Sequence, residues 1–150
     1  MQVLDWNPAW ETGIARLDHE HQLLFRNADT LIEAISNQKA KDELVKSINN
    51  VNQCVDRCFS CEEFIMALAN YPDFASHCTV HNRLCQKIAQ INKCVSCDLN
   101  ALSEALANFV DELIVAHVED EDRELARYLH DWTKAQPMPD LDFALGVFSS

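Results

Sequence analysis

Glycine and proline are scarce in this chain, which has two glycines and four prolines among its 150 residues. A β-sandwich needs many turn residues, so this scarcity argues against one. No apolar run approaches the roughly 18 residues that a membrane-spanning helix needs, and the N-terminus lacks the pattern of a secretory signal. Apolar residues nevertheless make up 48 % of the sequence, which excludes a disordered chain and suffices for one sizeable core.

Positive charge is also scarce, since 12 Lys and Arg face 24 Asp and Glu and the net charge is −12. A field of that sign repels phosphate backbones and anionic lipid surfaces, so neither nucleic acid nor a membrane is an expected partner. The seven cysteines are odd in number. Without a secretory signal they indicate free thiols in a reducing, cytoplasmic environment.

Apolar residues recur at steps of three and four along most of the chain, which is the period of an amphipathic helix. This period predicts an N-terminal arm at 1–17, helices at about 18–37, 40–69, 73–94 and 99–132, and a short tail at 133–150 that packs back. Asp18 and Asp98 are predicted to cap the first and fourth helices. Short connections favour one all-α domain, an antiparallel up-down-up-down four-helix bundle.

Groups that bind metals lie on the apolar stripe of every predicted helix. A spacing of four places both members of a pair on one helical face. A carboxylate on such a stripe is informative, because its burial costs several kcal/mol unless it is paired or coordinated. Candidates on all four helices predict a metal site in the bundle core. The candidates are His21, Cys58 with Glu62, His77 with His81, and His117.

Five motifs follow one another between about residues 6 and 130. They are Trp6 with Gly13-Ile14; Leu17-Asp18-His19-Glu20-His21; Phe59 with Glu62-Glu63; Tyr71-Pro72-Asp73 with His77 and His81; and His117-Val118 with Asp122. This ordered set resembles the hemerythrin family, most closely its single-domain bacterial members, the bacteriohemerythrins. The resemblance implies a centre of two non-haem irons that binds O₂ or another small diatomic ligand. By position, His77, His81 and His117 would hold one iron, His21 would bind the other, and Glu62 and Asp122 would bridge them.

The position of the second bridging carboxylate depends on helix geometry. The family pattern selects Asp122, five residues after His117. In a regular α-helix, residues five apart point about 140° away from each other, so Glu121 is the geometric alternative. A local π-bulge near His117 would reconcile Asp122 with the pattern.

Cys58 departs from the family, which has a histidine at this position. By the resemblance, the missing histidine would bind the same iron as His21, the one that is open to O₂. Three outcomes are possible. Cys58 ligates the metal as a thiolate, or it stays off the metal, or the second position is weak, so that the protein binds one metal only or a different metal such as zinc there. Cys54 and Cys61 lie on the same side of the helix, and Cys94 with Cys97 forms a CxxC.

The favoured function is O₂ binding for storage, delivery or scavenging, by a protein that is more a binder than an enzyme. The alternatives are a sensor of O₂, NO or peroxide that signals to a protein partner, a peroxidase-like enzyme, and a structural relic without metal. Val115 is expected to border the O₂ pocket, and His19 and His130 to lie on the surface.

Overall fold

The computed structural model describes residues 6–94 and 98–141, apart from the side chains of residues 114 and 115. A short 3₁₀ turn in the arm precedes five α-helices, and a π-helical segment joins the last two of them. The elements are the turn Pro8–Trp10, α1 Ala15–Ser36, α2 Lys41–Leu68, α3 Phe74–Cys94, α4 Leu99–Asp111, the π-helical segment Glu112–Asp122, and α5 Arg123–Ala135.

The helices form a four-helix bundle, which confirms the predicted fold class. Each helix packs against its neighbour in sequence, and α1 also contacts α4, so the four rods close on each other. Short connections make successive rods antiparallel. The connection after α2 is set by Asn70, whose φ of +52° lies in the left-handed region, and by Pro72 just beyond. Among the described residues, no helix combines the length and apolarity that crossing a membrane requires.

Helix α1 begins at Ala15, three residues before the predicted start, and Asp18 is not its N-cap. The Asp18 carboxylate accepts hydrogen bonds from Thr12 N at 2.7 Å, Thr12 Oγ1 at 2.8 Å and Gly13 N at 3.2 Å. It therefore satisfies the turn before the helix, in which Gly13 has a φ of +84°. The prediction for Asp98 is confirmed, because its carboxylate accepts from Ala101 N at 2.7 Å.

The predicted fourth helix, at about 99–132, differs most from the structure. It runs on to Ala135, and its middle is π-helical from Glu112 to Asp122. The backbone stays in the right-handed helical region on entering and leaving the wide turns, so α4 and α5 form one rod. Helical apolar periodicity does not reveal such turns, because they change which residues share a face only locally. The local widening near His117, expected from the family position of Asp122, is confirmed.

Two apolar clusters fill the bundle and leave a polar layer between them. The first cluster contains Leu24 of α1 and Phe59 of α2, and the second contains Leu17 of α1 and Ile65 of α2. His21 on α1 and Glu62 on α2 lie at the level between these residues, and Cys58 belongs to the first cluster. The start of the tail packs back as predicted, since Leu141 is buried in the second cluster. Its later apolar residues at 143, 145, 147 and 148 lie outside the described residues, as does Cys97.

Candidate metal centre

Glu62 lies at the centre of the polar layer and is fully buried. Its Oε1 lies 2.9 Å from His21 Nε2. Its Oε2 lies 2.5 Å from His81 Nε2, 3.2 Å from His117 Nε2 and 3.4 Å from His77 Nε2. One carboxylate therefore directs its two oxygens at two separate sets of imidazoles.

Asp122 repeats this arrangement from the opposite side of the bundle. Its Oδ1 lies 3.2 Å from His77 Nε2 and 3.2 Å from His117 Nε2, and its Oδ2 lies 3.2 Å from His21 Nε2. The π-helical segment makes this possible, because i→i+5 hydrogen bonding adds a residue to each turn and brings residues five apart toward one face. The alternative, Glu121, is only half-buried.

Three imidazoles, from His77, His81 and His117, share one side of the layer. Their ring centroids are 4.7 to 4.9 Å apart, and their planes meet at 64° to 85°. All three direct Nε2 at the carboxylates, so each presents a nitrogen lone pair to one shared volume. Phe59 fixes the orientation of one ring, since it stacks on His81 with centroids 3.9 Å apart and planes 2° apart.

The other side of the layer holds His21 and Cys58, both fully buried. Ligand atoms of His21, Cys58 and Glu62, one from each residue, lie within 4.8 Å of one another. The same holds for the ligand atoms of Glu62 and the three imidazoles on the first side. The arm covers this side: the Trp6 ring lies 6.4 Å from the His21 ring and meets Phe25 edge-on at 5.5 Å. The cluster thus offers two adjacent positions that share the carboxylates.

The donor chemistry of the cluster fits metal ions. His77 Nε2 and both Asp122 oxygens are buried without a hydrogen-bond partner among the described residues, although His77 Nε2 lies 3.2 Å from Asp122 Oδ1 and His21 Nε2 lies 3.2 Å from Asp122 Oδ2. Buried polar atoms are almost always satisfied, so these atoms need another partner. Imidazole nitrogens and carboxylate oxygens that converge from four rods are suited to iron, and a metal ion would satisfy every one of them.

Without metal, the imidazoles and carboxylates of the cluster shift one another's pKa values. Burial raises the pKa of Glu62, but the charge of His117 and hydrogen bonds from the imidazoles hold it well below its usual range. Burial lowers the pKa of His77, but Asp122 and Glu62 raise it to about 10. The Cys58 thiol responds differently, because its burial outweighs the attraction of His21 and raises its pKa to about 12.

Comparison with known families supports a cation-binding site. A family model described as the hemerythrin HHE cation-binding domain matches residues 12–129. The chain belongs to the hemerythrin family. This confirms the resemblance seen in the sequence motifs.

Curated relatives of this hemerythrin point the same way. It is 27 % identical over 123 residues to a bacteriohemerythrin of Clostridium acetobutylicum, covering 79 % of this chain and 95 % of that protein. It is 28 % identical over 114 residues to bacteriohemerythrins of Campylobacter jejuni subsp. jejuni, covering 75 % of this chain and 84 % of those proteins. The similarity therefore spans most of each molecule.

The hemerythrin fold brings all seven predicted ligand residues into one buried layer: His21, Cys58, Glu62, His77, His81, His117 and Asp122. His19 and His130 are exposed, as predicted. Cys54 and Cys61 are buried beside the layer as free thiols. The side chain of Val115, expected at the O₂ pocket, lies outside the described residues.

Glu63 contributes to the metal site through a contact with His81, and the sequence analysis assigned it no role. Its Oε1 lies 3.0 Å from His81 Nδ1, while its side chain remains 40 % exposed. A ligating histidine usually donates its second N–H to such a carboxylate, which fixes the tautomer and the ring. Helical periodicity could not reveal this role, because Glu63 lies off the apolar stripe and its partner is on another helix.

Replacing Glu63 with alanine is expected to weaken metal binding by about 10- to 100-fold, because His81 loses its orienting acceptor. Glu63→Gln, which keeps an acceptor oxygen, should lose less. Competition with a chromophoric chelator measures both affinities, and Glu43→Ala, an exposed glutamate on the same helix, is the matched control. Equal affinities in Glu63→Ala and the control would refute this role.

Proposed function

We propose that this hemerythrin binds O₂ reversibly at a non-haem di-iron centre, for storage, delivery or scavenging. The observation that carries the proposal is the pair of buried carboxylates, Glu62 and Asp122. Each directs one oxygen at the three-imidazole group and the other at His21. Two carboxylates that face two donor sets in this way can bridge two metal ions, and bundle cores are a recurrent place for such pairs.

In this proposal the residues have distinct roles. His77, His81 and His117 would hold the first iron, and His21 with Cys58 would hold the second. Glu62 and Asp122 would be shared by both irons and would neutralise their charge. When bound, the iron pair supplies the electrons that reversible O₂ binding requires.

The protein contributes orientation and exclusion of water. Glu63 and Phe59 hold His81, and Trp6 with Phe25 covers the side of His21 with apolar surface. An apolar cover keeps water and protons away from bound O₂, which favours its release unchanged. The described cysteines are free thiols, which supports a reducing, cytoplasmic setting.

The test begins with protein produced in iron-rich medium and purified without oxygen. We expect two irons per chain by elemental analysis. Exposure of the reduced protein to O₂ should produce visible charge-transfer absorption that disappears when O₂ is removed. A fully iron-loaded, reduced protein that takes up no O₂ would refute the function.

The sensor and the peroxidase-like enzyme remain alternatives, for which the described residues provide no separate support. Steady turnover of peroxide that is lost in Cys58→Ser would favour the enzyme. A relic without metal would retain no iron under the same conditions.

A further inference from the structure

The two metal positions differ in their donor atoms. The first is surrounded by three imidazoles and by one oxygen each from Glu62 and Asp122, which makes five protein donors. At the second, ligand atoms of His21, Cys58 and Glu62 lie within 4.8 Å of one another, and Asp122 Oδ2 lies 3.2 Å from His21 Nε2. Among the described residues, it has four donors, one of which is sulfur.

Four donors that include a thiolate match the preferences of zinc. Zn²⁺ is most often four-coordinate and tetrahedral in closed sites, with cysteine, histidine and carboxylate ligands. Soft thiolate ligands favour it, and for a given set of ligands Zn²⁺ generally binds more tightly than Fe²⁺. Cys58 is also fully buried, and its sulfur lies within 4.8 Å of ligand atoms of His21 and Glu62.

We propose that the second position binds Zn²⁺ in preference to iron through His21, Cys58, Glu62 and Asp122. On binding, the Cys58 Sγ–H bond breaks, its proton goes to solvent, and the sulfur electron pair forms the bond to zinc. The metal charge makes this loss of the proton favourable, as it does for coordinated thiols in general.

Zinc in the second position excludes the di-iron pair. Four protein donors complete the zinc shell, and zinc has no redox chemistry, so this form of the protein cannot bind O₂ as a di-iron centre does. Zinc thereby becomes an inhibitor that competes with the second iron while the first position keeps its own metal. This last consequence rests on the proposed function, whereas the zinc preference itself does not.

The direct test uses the wild-type chain. Metal-free, reduced protein receives excess Fe²⁺ and one equivalent of Zn²⁺ without oxygen, and unbound metal is removed. We expect one zinc to be retained per chain, and X-ray absorption at the zinc edge should show one sulfur neighbour at about 2.3 Å. A zinc shell of nitrogen and oxygen alone, or no retention of zinc against iron, would overturn the proposal.

Matched variants attribute the preference to one sulfur. In Cys58→His, the zinc retained in competition should fall and its sulfur neighbour should disappear, while Cys54→Ser should behave like the wild type. Cys54 lies one turn away on the same helical face, and Asn27 Nδ2 donates to its sulfur at 3.3 Å. If Cys58→His fails to fold, the absorption result on the wild type still decides the question.

Measurement of O₂ uptake by the iron-only protein separates the two proposals. O₂ uptake that one equivalent of zinc abolishes would support both. A zinc shell with sulfur in a protein that takes up no O₂ would overturn the proposed function alone. Reversible O₂ uptake that zinc leaves intact would overturn the zinc preference alone.

Discussion

Replacing Glu62 with glutamine is expected to remove both metal ions, because this carboxylate contacts all four imidazoles of the cluster and belongs to both donor groups. Glutamine keeps the shape of the side chain but loses the negative charge that balances two cations. One remaining amide oxygen cannot serve two metals as a bridging carboxylate does. Elemental analysis after desalting should therefore find little iron or zinc.

The same variant should also destabilise the metal-free protein. The Glu62 carboxylate is buried among imidazoles: despite its burial, the charge of His117 and hydrogen bonds from His117, His21 and His77 hold its pKa well below its usual range. Removing one partner of a buried ion pair leaves an uncompensated charge and typically costs about 3 to 5 kcal/mol. Urea unfolding of both metal-free proteins measures the difference.

Asp56→Asn, an exposed acid on the same helix, is the control for Glu62→Gln and should change neither quantity appreciably. Full metal content in Glu62→Gln would mean that Glu62 is not a ligand. Loss of metal without loss of stability in the metal-free form would mean that the imidazoles are neutral when the centre is empty.

Removing the metals from the wild type is expected to lower its thermal stability substantially. Ions that bind only the folded state stabilise it by RT ln(1 + [L]/Kd), which is about 4 kcal/mol at a free concentration of 1,000 Kd. For a chain of this size, each kcal/mol changes the melting temperature by about 2 to 4 °C, so a loss of about 8 to 16 °C is expected on chelation. Differential scanning calorimetry with and without chelator measures the change in melting temperature. Recovery of the original melting temperature when the metals are added back is the control.

The metal-free form should in addition become less stable as the pH rises. The pKa of His77 in the folded protein, about 10, lies above the ordinary value of 6.5, because Asp122 and Glu62 outweigh the effect of burial. A raised pKa contributes stability that is complete below pH 6.5 and is lost as the pH rises through about 10. Metal affinity should instead increase as the pH rises, since imidazoles must lose their protons to bind a metal.

Thermal unfolding at several pH values tests this contrast. The gap in melting temperature between metal-loaded and metal-free protein should widen from neutral pH toward about pH 10, the pKa of His77. His130→Gln, a change at an exposed histidine, should leave the dependence unaltered. A gap that stays constant or narrows would contradict the proton balance derived from His77.

Much of this centre follows from the sequence alone, because α-helical periodicity maps residue spacing directly onto helical faces. His77 and His81, four apart, had to share a face, and Glu62 on an apolar stripe had to have a partner. The identity of that partner was not accessible in the same way. His21, His81 and His117 lie 41, 19 and 55 residues from Glu62, so only packing of the rods joins them.

The fourth rod shows where periodicity fails. A regular helix would have presented Glu121 with His117, whereas the wide turns of Glu112–Asp122 present Asp122 instead. The prediction that Asp18 caps the first helix was wrong for a similar reason. Its position before an apolar stripe is typical of a cap, but its carboxylate accepts hydrogen bonds from the turn formed by Thr12 and Gly13. In both cases the backbone hydrogen-bond pattern decides, and residue spacing alone does not encode it.

By itself, the sequence determined the helices, their inward faces, the family and the exceptional cysteine, because each of these depends on residue identity and local spacing. Only the tertiary structure decided that Asp122 and Glu62 each face two donor groups, that Glu63 orients His81, and that Cys58 lies with His21 at a position that has fewer donors than its neighbour. These features depend on the relative height and rotation of separate rods, which are set by side-chain packing across the whole bundle.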